Sequence, residues 1–259
     1  MIDHRETISV TSEEISVPLH LCGPGSSSLD AAWEFLDQGD LPVWGSVLME
    51  RQSAGRGRLG RVWQSPPGHV YGALRLPATP PFDGPGASLG LAFFLALALE
   101  TFGWELGIKW PNDLIFEGGK VGGLLLESKP RGLVAGLGLN LGEPPPGDWV
   151  GRREPGSPPP AALPFQGGPA KLWSLLVKEV VLLYSKKFPG ASVADLRPEI
   201  EKRLYWRGRT VVVDRPAAEP PAPESGLTGQ ITGLDAEGQL LLNNLSGRYR
   251  LWSGTVRLL

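Results

Sequence analysis

Residues 51–63 read Arg51-Gln52-Ser53-Ala54-Gly55-Arg56-Gly57-Arg58-Leu59-Gly60-Arg61-Val62-Trp63. Glycines at 55, 57 and 60 alternate with arginines at 56, 58 and 61. Glycine reaches backbone conformations closed to other residues and lets a ligand come close. Arginine carries a permanent charge on a planar fork that matches phosphate and carboxylate. The stretch suits a loop wrapped around a small anion, with an amide (Gln52) and a flat aromatic (Trp63) at its ends. A solvated basic surface loop is the competing reading, since charge runs usually face water. Gly55, Gly57 and Gly60 also spell G-x-G-x-x-G. That dinucleotide pattern needs a strand before it and a helix after it. Leu41 to Glu50 supplies the strand, but Pro66, Pro67 and Gly68 exclude the helix. A P-loop is excluded because no Gly-Lys-Ser/Thr follows.

Working outward, Val43 to Glu50 reads as the strand entering the loop and His69 to Leu76 as the strand leaving it. Upstream, Met1 to Glu14 reads as a loose arm and Val17 to Leu21 as a short strand. Ser26-Ser27-Ser28 precedes an amphipathic helix over Leu29 to Gln38, with apolar Leu29, Ala32, Trp33, Phe35 and Leu36 on one face. The serines either cap the helix only or also turn a hydroxyl toward a ligand.

Downstream, Ala87 to Trp104 is an apolar helix, too short and too interrupted to cross a bilayer. Gly107 to Phe116 is an apolar strand cut by Pro111. Lys109, Asn112 and Asp113 crowd this buried-looking stretch, where polar groups are costly unless paired. They form either a turn or a cation, an amide and a carboxylate around a ligand. After a turn at Glu117-Gly118-Gly119, Lys120 opens a strand to Glu127 whose paired glycines, Gly122 and Gly123, allow close approach. Leu133 to Leu141 is a buried strand with one polar side chain, Asn140. Gly142 to Pro169 is dense in proline and glycine and reads as irregular, a lid or disordered. Ala170 to Phe188 and Ser192 to Trp206 are helices, the second regular only from Pro198. Strands at Arg209 to Asp214, Leu227 to Leu234, Gln239 to Asn243 and Arg248 to Leu258, with a turn at Pro216 to Gly226, suggest a small barrel.

The 259-residue chain carries 25 basic and 27 acidic residues, a net charge of −2. Nothing in that balance marks a general nucleic-acid or membrane binder, so the arginine cluster is a local feature. Cys22 is the single cysteine, which rules out an intrachain disulfide and fits a reducing, cytoplasmic setting. His4, His20 and His69 are scattered without metal-ligand spacing. The start of the chain has no signal-peptide pattern.

Four stretches in order resemble the biotin protein ligases, the biotin–[acetyl-CoA-carboxylase] ligases. Gly55 to Trp63 matches the family's G-R-G-R-x-G-R-x-W, and Lys109 to Leu114 matches K-W-P-N-D-L in full. Lys120 to Glu127 is similar to K-x-[AG]-G-I-L-x-E, and Gly136 to Asn140 to G-x-G-I-N. Trp252 to Leu258 resembles the end of the family's small C-terminal domain. The resemblance covers the chain from about Val17 onward and implies an α+β fold. Residues 1–206 would form a biotin/lipoate ligase-like catalytic domain, a mixed sheet with helices that includes the Pro/Gly-rich loop 142–169. Residues 207–259 would form an SH3-like β-barrel.

The resemblance implies an enzyme that joins biotin and ATP, with Mg²⁺, to biotinyl-5′-AMP. The biotinyl group then passes to a lysine of the biotin carboxyl carrier domain of a biotin-dependent carboxylase. It implies a biotin shell of Ser27, Ser28, Gln52, Gly55, Arg56, Arg58, Lys120, Gly123 and Gly136. The nucleotide side would take Arg56, Arg58, Arg61, Trp63, Lys109, Asn112 and Asn140. Lys120, Arg58 and Asp113 would carry the chemistry. No Mg²⁺ ligands are assigned. The chain departs from the family at Ser28, usually threonine, with Ser26 an alternative hydroxyl, and at Leu59, often arginine. Its proline-rich 142–169 stands where relatives carry an adenylate-covering segment. A start too short for a DNA-binding domain argues against a repressor role. A lipoate or octanoate ligase of the same fold, or a non-catalytic biotin or adenylate sensor, are the alternatives. The lipoate-type R-R-x-x-G-G-G is absent: Arg152-Arg153 continues into Glu154-Pro155-Gly156.

Overall fold

The strand entering the Gly/Arg loop belongs to an eight-stranded sheet. The computed structural model describes residues 3–11, 16–145, 155–223 and 226–259. The sheet runs β1 (His4–Thr11), β2 (Ser16–Gly25), β3 (Ser46–Gln52), β4 (Val70–Leu76), β8 (Gly132–Leu139), β7 (Gly119–Lys129), β6 (Asp113–Phe116), β5 (Gly107–Lys109). β2 and β3 are parallel, with helix α1 (Ser28–Gln38) crossing between them; the other neighbouring pairs are antiparallel. Ser27 caps α1, its hydroxyl accepting from the Asp30 amide at 3.1 Å. Gly39 ends the helix at φ 88°, a left-handed turn that costs glycine no Cβ clash.

Alternating side chains give the sheet two packed faces. Val47, Met49, Tyr71, Ala73 and Val134 pack under α1. Val70, Leu74, Leu76, Leu133, Ala135 and Leu137 point the other way, into a larger core. Three helices close that core: α2 (Ala87–Glu100), α3 (Pro169–Leu182) and α4 (Val193–Arg203). α2 is apolar on all sides and accordingly almost wholly buried. On the other face α1 packs mainly on β3, β4 and β8 and touches β7 through Trp33, whose indole donates to Glu127 at 2.8 Å. The rest of that face is left to loops.

The C-terminal strands β9 (Thr210–Glu219), β10 (Leu227–Leu234), β11 (Leu240–Asn244) and β12 (Gly247–Leu258) close into a barrel. Its interior, including Val211, Val213, Leu240, Leu242 and Val256, is continuous with the larger core. The Trp110 indole donates to the Gly238 carbonyl at 3.0 Å, and the Leu234 amide donates to Glu201 at 2.8 Å.

Several local expectations change. Residues 4–11 form a strand instead of a loose arm, covering the edge that β2 would otherwise expose; residues 1–2 and 12–15 lie outside the described residues. α4 runs through Pro198 from Val193, because Ser192 and Asp195 form a capping box at its start. Pro198 withdraws only the donor for the Ala194 carbonyl. β9 continues past Pro216, which sits with Arg215 between the paired Asp214 and Ala217 at a register shift; residues 224–225 of the expected turn lie outside the described residues. His4 and His20 meet with ring centroids 5.5 Å apart, bridged by the Thr7 hydroxyl. Among the described residues no group of three or more His, Cys, Asp or Glu gathers around a metal-sized site, and no helix is long and apolar enough to cross a membrane.

Gly72 of β4 makes room for α3: a Cβ there would lie 2.6 Å from the Trp173 ring. Gly72→Ala is expected to lower unfolding stability by about 1–3 kcal/mol through overpacking, read as a lower denaturation midpoint with an unchanged slope.

Candidate functional site

The parallel strands β2 and β3 end side by side at the start of α1, the place where open α/β sheets receive ligands. The backbone of the next residues locks onto this junction: Ser53 N donates to Gly25 O and Ala54 N to Ser26 O, both at 2.8 Å. Gln52 turns its amide inward. Its oxygen accepts from the Ser28 amide at 2.8 Å and from the Ser28 hydroxyl at 3.2 Å, and its nitrogen donates to Ser65 at 2.9 Å. Ser27 and Ser28 are both buried. This end of the site is neutral and rich in hydrogen-bonding groups.

Residues 55–63 fold into a hairpin. Trp63 N donates to Gly55 O at 2.9 Å, Gly57 N to Arg61 O at 2.7 Å, and Arg61 N to Arg58 O at 3.2 Å. Leu59 and Gly60 turn it with φ of 57° and 72°, the left-handed pair of a type I′ turn. For Leu59 that geometry costs roughly 1 kcal/mol. The three arginines part ways. Arg56 leans outward onto Asp30 at 2.8 Å and Glu127 at 3.1 Å; the Asp30 bond, against the cost of burial and with help from Glu127, raises its pKa. Arg58 reaches Asn112 at 3.5 Å and Ser253 at 3.4 Å. Burial lowers its pKa, Asp113 draws it back up, and Arg61 pushes it down. Arg61 donates to Thr255 of β12 at 3.0 Å.

Trp63 lies flat on the sheet. A Cβ on Gly138 would sit 2.2 Å from its ring, and one on Gly123 would sit 3.3 Å away. The indole Nε1 has no hydrogen-bond partner among the described residues. Lys120 Nζ stands 5.4 Å from the same ring, within cation–π range. Gly136, by contrast, makes room for Leu29 of α1.

A buried ion cluster forms the charged end. Asp113 accepts from Lys120 at 2.6 Å and from Lys109 at 3.4 Å. Burial alone would raise the Asp113 pKa, but the two lysines outweigh it and hold the carboxyl below its ordinary range. Burial lowers the Lys109 pKa, with Asp113 opposing. Asn112 stitches this turn to β7, its side chain donating to Leu124 O at 2.6 Å. Asn140 donates to Ala161 O at 2.9 Å.

A cavity of about 260 Å³ joins both ends. Among the described residues its wall takes in every candidate site residue except Gly55. Gly55 instead closes the hairpin, since a Cβ there would lie 2.4 Å from Trp63 O. Sequence reasoning missed the barrel's share of the wall (Gly254, Thr255, Val256) and the prolines Pro158 and Pro160. It also gave no seat to Gly138. The only available signal for the barrel was Trp252-Ser253-Gly254-Thr255, which carried no role by itself.

A model of the biotin/lipoate A/B protein ligase family matches residues 25–142. A biotin–[acetyl-CoA-carboxylase] ligase from Paracoccus denitrificans is 33% identical over 218 residues, covering 78% of this chain and 85% of that one. A bifunctional ligase/repressor from Bacillus subtilis is 26% identical over 241 residues, 90% of this chain and 71% of that one. Among solved structures, a biotin protein ligase from Aquifex aeolicus in complex with biotin and ATP shares the fold, with a TM-score of 0.73 at 24% identity, over 93% of this chain and 99% of that one.

Asp113→Ala leaves the Lys109 ammonium buried without its counter-ion. It is expected to destabilise the protein by about 3 kcal/mol or more, measured by urea unfolding at neutral pH. The carboxyl titrates lower folded than unfolded, so its stabilisation is present above about pH 4 and fades as pH falls further. The gap between the two proteins should narrow there.

Proposed function

The chain belongs to the biotin protein ligase family, and from that premise we propose that it activates biotin with ATP to biotinyl-5′-AMP and transfers the biotinyl group to one lysine of a biotin carboxyl carrier domain. One arrangement carries the reading: a neutral hydrogen-bonding end and a cationic end share a single cavity of about 260 Å³. Biotin has the same polarity, a neutral ureido ring and a carboxylate at the end of an aliphatic chain. Ser27, Ser28 and Gln52 suit the ureido group. Arg58 and Lys120 suit the carboxylate and the α-phosphate, and Arg61 the remaining phosphates. Trp63 offers a flat ring surface, with Lys109, Asn112 and Asn140 on the nucleotide side. Gly123 leaves space on the cavity side of β7, and Gly136, also on the wall, serves to seat Leu29 of α1.

The chemistry matches these groups. In the first step a carboxylate oxygen attacks the α-phosphorus and pyrophosphate leaves. The carboxylate is already a nucleophile, so no general base is needed. The barrier lies in bringing an anion up to a triphosphate, which fixed cations lower by positioning and electrostatics. Lys120 would leave Asp113 to bridge the carboxylate and the α-phosphate, while Lys109 stays at 3.4 Å and keeps Asp113 paired. In the second step the carrier lysine's amine attacks the acyl carbon and AMP leaves. Asp113 is the one carboxylate on the described cavity wall, and two lysines hold it. The described residues therefore assemble no carboxylate set for Mg²⁺, which would arrive on the phosphates of ATP. We assign the chemistry to residues 1–206, with 207–259 as the barrel that completes the wall.

ATP–pyrophosphate exchange tests the proposal. Exchange with biotin and not with lipoate, followed by a mass gain on an added carrier domain, supports it. Exchange with lipoate alone, or biotin binding without exchange, overturns it. Lys120→Ala is expected to lower exchange by about 10²–10³-fold in a protein that still folds. Arg58→Ala is expected to weaken biotin retention, read as a larger Kd by calorimetry.

A further inference from the structure

The described part of the proline-rich segment before α3 forms no helix or strand, as expected, but it docks on the sheet through two isolated bridges, Lys120 with Pro160 and Leu141 with Leu163. Residues 156–163 lie along the sheet where β8 stops. β8 pairs with β7 as far as Leu139 opposite Gly122, and Asn140 N then donates to Val121 O at 2.7 Å. From there the segment takes over. Lys120 N donates to Pro159 O at 2.7 Å, and Ala161 N donates to Lys120 O at 2.9 Å. The Asn140 side chain donates to Ala161 O, and Leu163 N donates to Asn140 O, both at 2.9 Å. The far end is tied to the barrel, Leu258 N donating to Gly156 O at 3.0 Å.

The run Pro158-Pro159-Pro160 suits this place. Proline holds φ near its extended value before docking, so little order has to be imposed. A missing N–H costs nothing at Pro159, which only accepts. Ala161 is the first residue after the run able to donate, and its donor goes to Lys120. Gly119 allows the approach: a Cβ there would stand 2.4 Å from the Ala161 Cβ. Without the segment, Lys120 would have an unpaired amide and carbonyl on that side, at the residue whose Nζ lies 2.6 Å from Asp113.

We propose that residues 156–163 are a positioning strap: by pairing with both backbone groups of Lys120 they fix where its amine sits for adenylate formation, and Gly119 and Ala161 set that position without touching substrate. The role of Lys120 rests on the ligase reading above; the strap itself does not. A displacement of about 1 Å in a group that contacts the reacting atoms is enough to cost about 10²-fold in rate.

The test uses the full chain and three variants. Gly119→Ala drives a methyl into Ala161; Gly119→Ala with Ala161→Gly removes that methyl–methyl collision; Ala161→Pro removes the donor to Lys120 O and puts a ring carbon in its place. Each is followed by hydrogen exchange at the Lys120 amide and by kcat and KM for biotin in ATP–pyrophosphate exchange. Gly119→Ala and Ala161→Pro are expected to lower kcat by about 10²-fold with KM for biotin within about twofold, and to speed exchange of the Lys120 amide by about tenfold or more. The double variant is expected to recover both. Full kcat in a variant whose Lys120 amide has lost protection overturns the proposal, as does a double variant that recovers neither. If Gly119→Ala fails to fold, Ala161→Pro decides alone. Absence of ATP–pyrophosphate exchange in the unsubstituted protein would sink the ligase reading. The strap then stands or falls on whether the Lys120 amide is protected there and exposed in Ala161→Pro.

Discussion

An eight-stranded sheet has two apolar faces to cover, and this chain covers them unequally. Among the described residues three helices close one face, while the other has only α1, eleven residues long. Apolar strand surface left in water is costly, so something else must roof the strands that α1 does not reach. The roof is made of the hairpin at 55–63, the strap at 156–163 and one edge of the barrel. Because these parts are loops and barrel edge, not a packed helix, they leave a cavity beneath them. The site is the uncovered part of the face.

Charge is gathered in the same place. Among the described residues five cations and one carboxylate line the cavity: Arg56, Arg58, Arg61, Lys109, Lys120 and Asp113. Such an excess is unstable unless an anion joins it or the cations are separately engaged. Here each has a partner: Arg56 has Asp30 and Glu127, Arg58 has Asn112 and Ser253, Arg61 has Thr255, and both lysines share Asp113. Asp113 is the pivot of this arrangement. It pairs the buried Lys109 ammonium and the half-buried Lys120 ammonium with one carboxylate.

The barrel is part of the same construction. Trp110, inside the Lys-Trp-Pro-Asn-Asp run, anchors it at Gly238, while Arg58 and Arg61 meet Ser253 and Thr255 from the hairpin side. One short motif thus both supplies the charged cluster and docks the C-terminal strands. A change in how the barrel sits would be felt at the arginines and, through Gly156, at the strap.

Much of this was legible in the chain. The apolar runs of β4 and β8, the serine cap of α1 and the Gly/Arg loop are local signals, carried by neighbours a few residues apart. The α+β order and the candidate site residues followed from them and from the family resemblance. What the sequence could not reveal depends on groups distant along the chain. Residues 4–11 are polar and look loose, yet β2 offers an edge that orders them. Arg56 matches its motif, yet Asp30 and Glu127 take its guanidinium. Gly55 and Gly138 differ only in what lies over them: Trp63's carbonyl for one and its indole for the other. The proline run reads as unstructured because its prolines cannot donate, and only the fold brings it an open strand that needs an acceptor at Pro159 and a donor at Ala161. The sequence by itself determined which residues bend, carry charge or pack. Tertiary structure alone decided which of them share a cavity and which merely hold it open, because that depends on contacts whose partners lie tens to hundreds of residues apart.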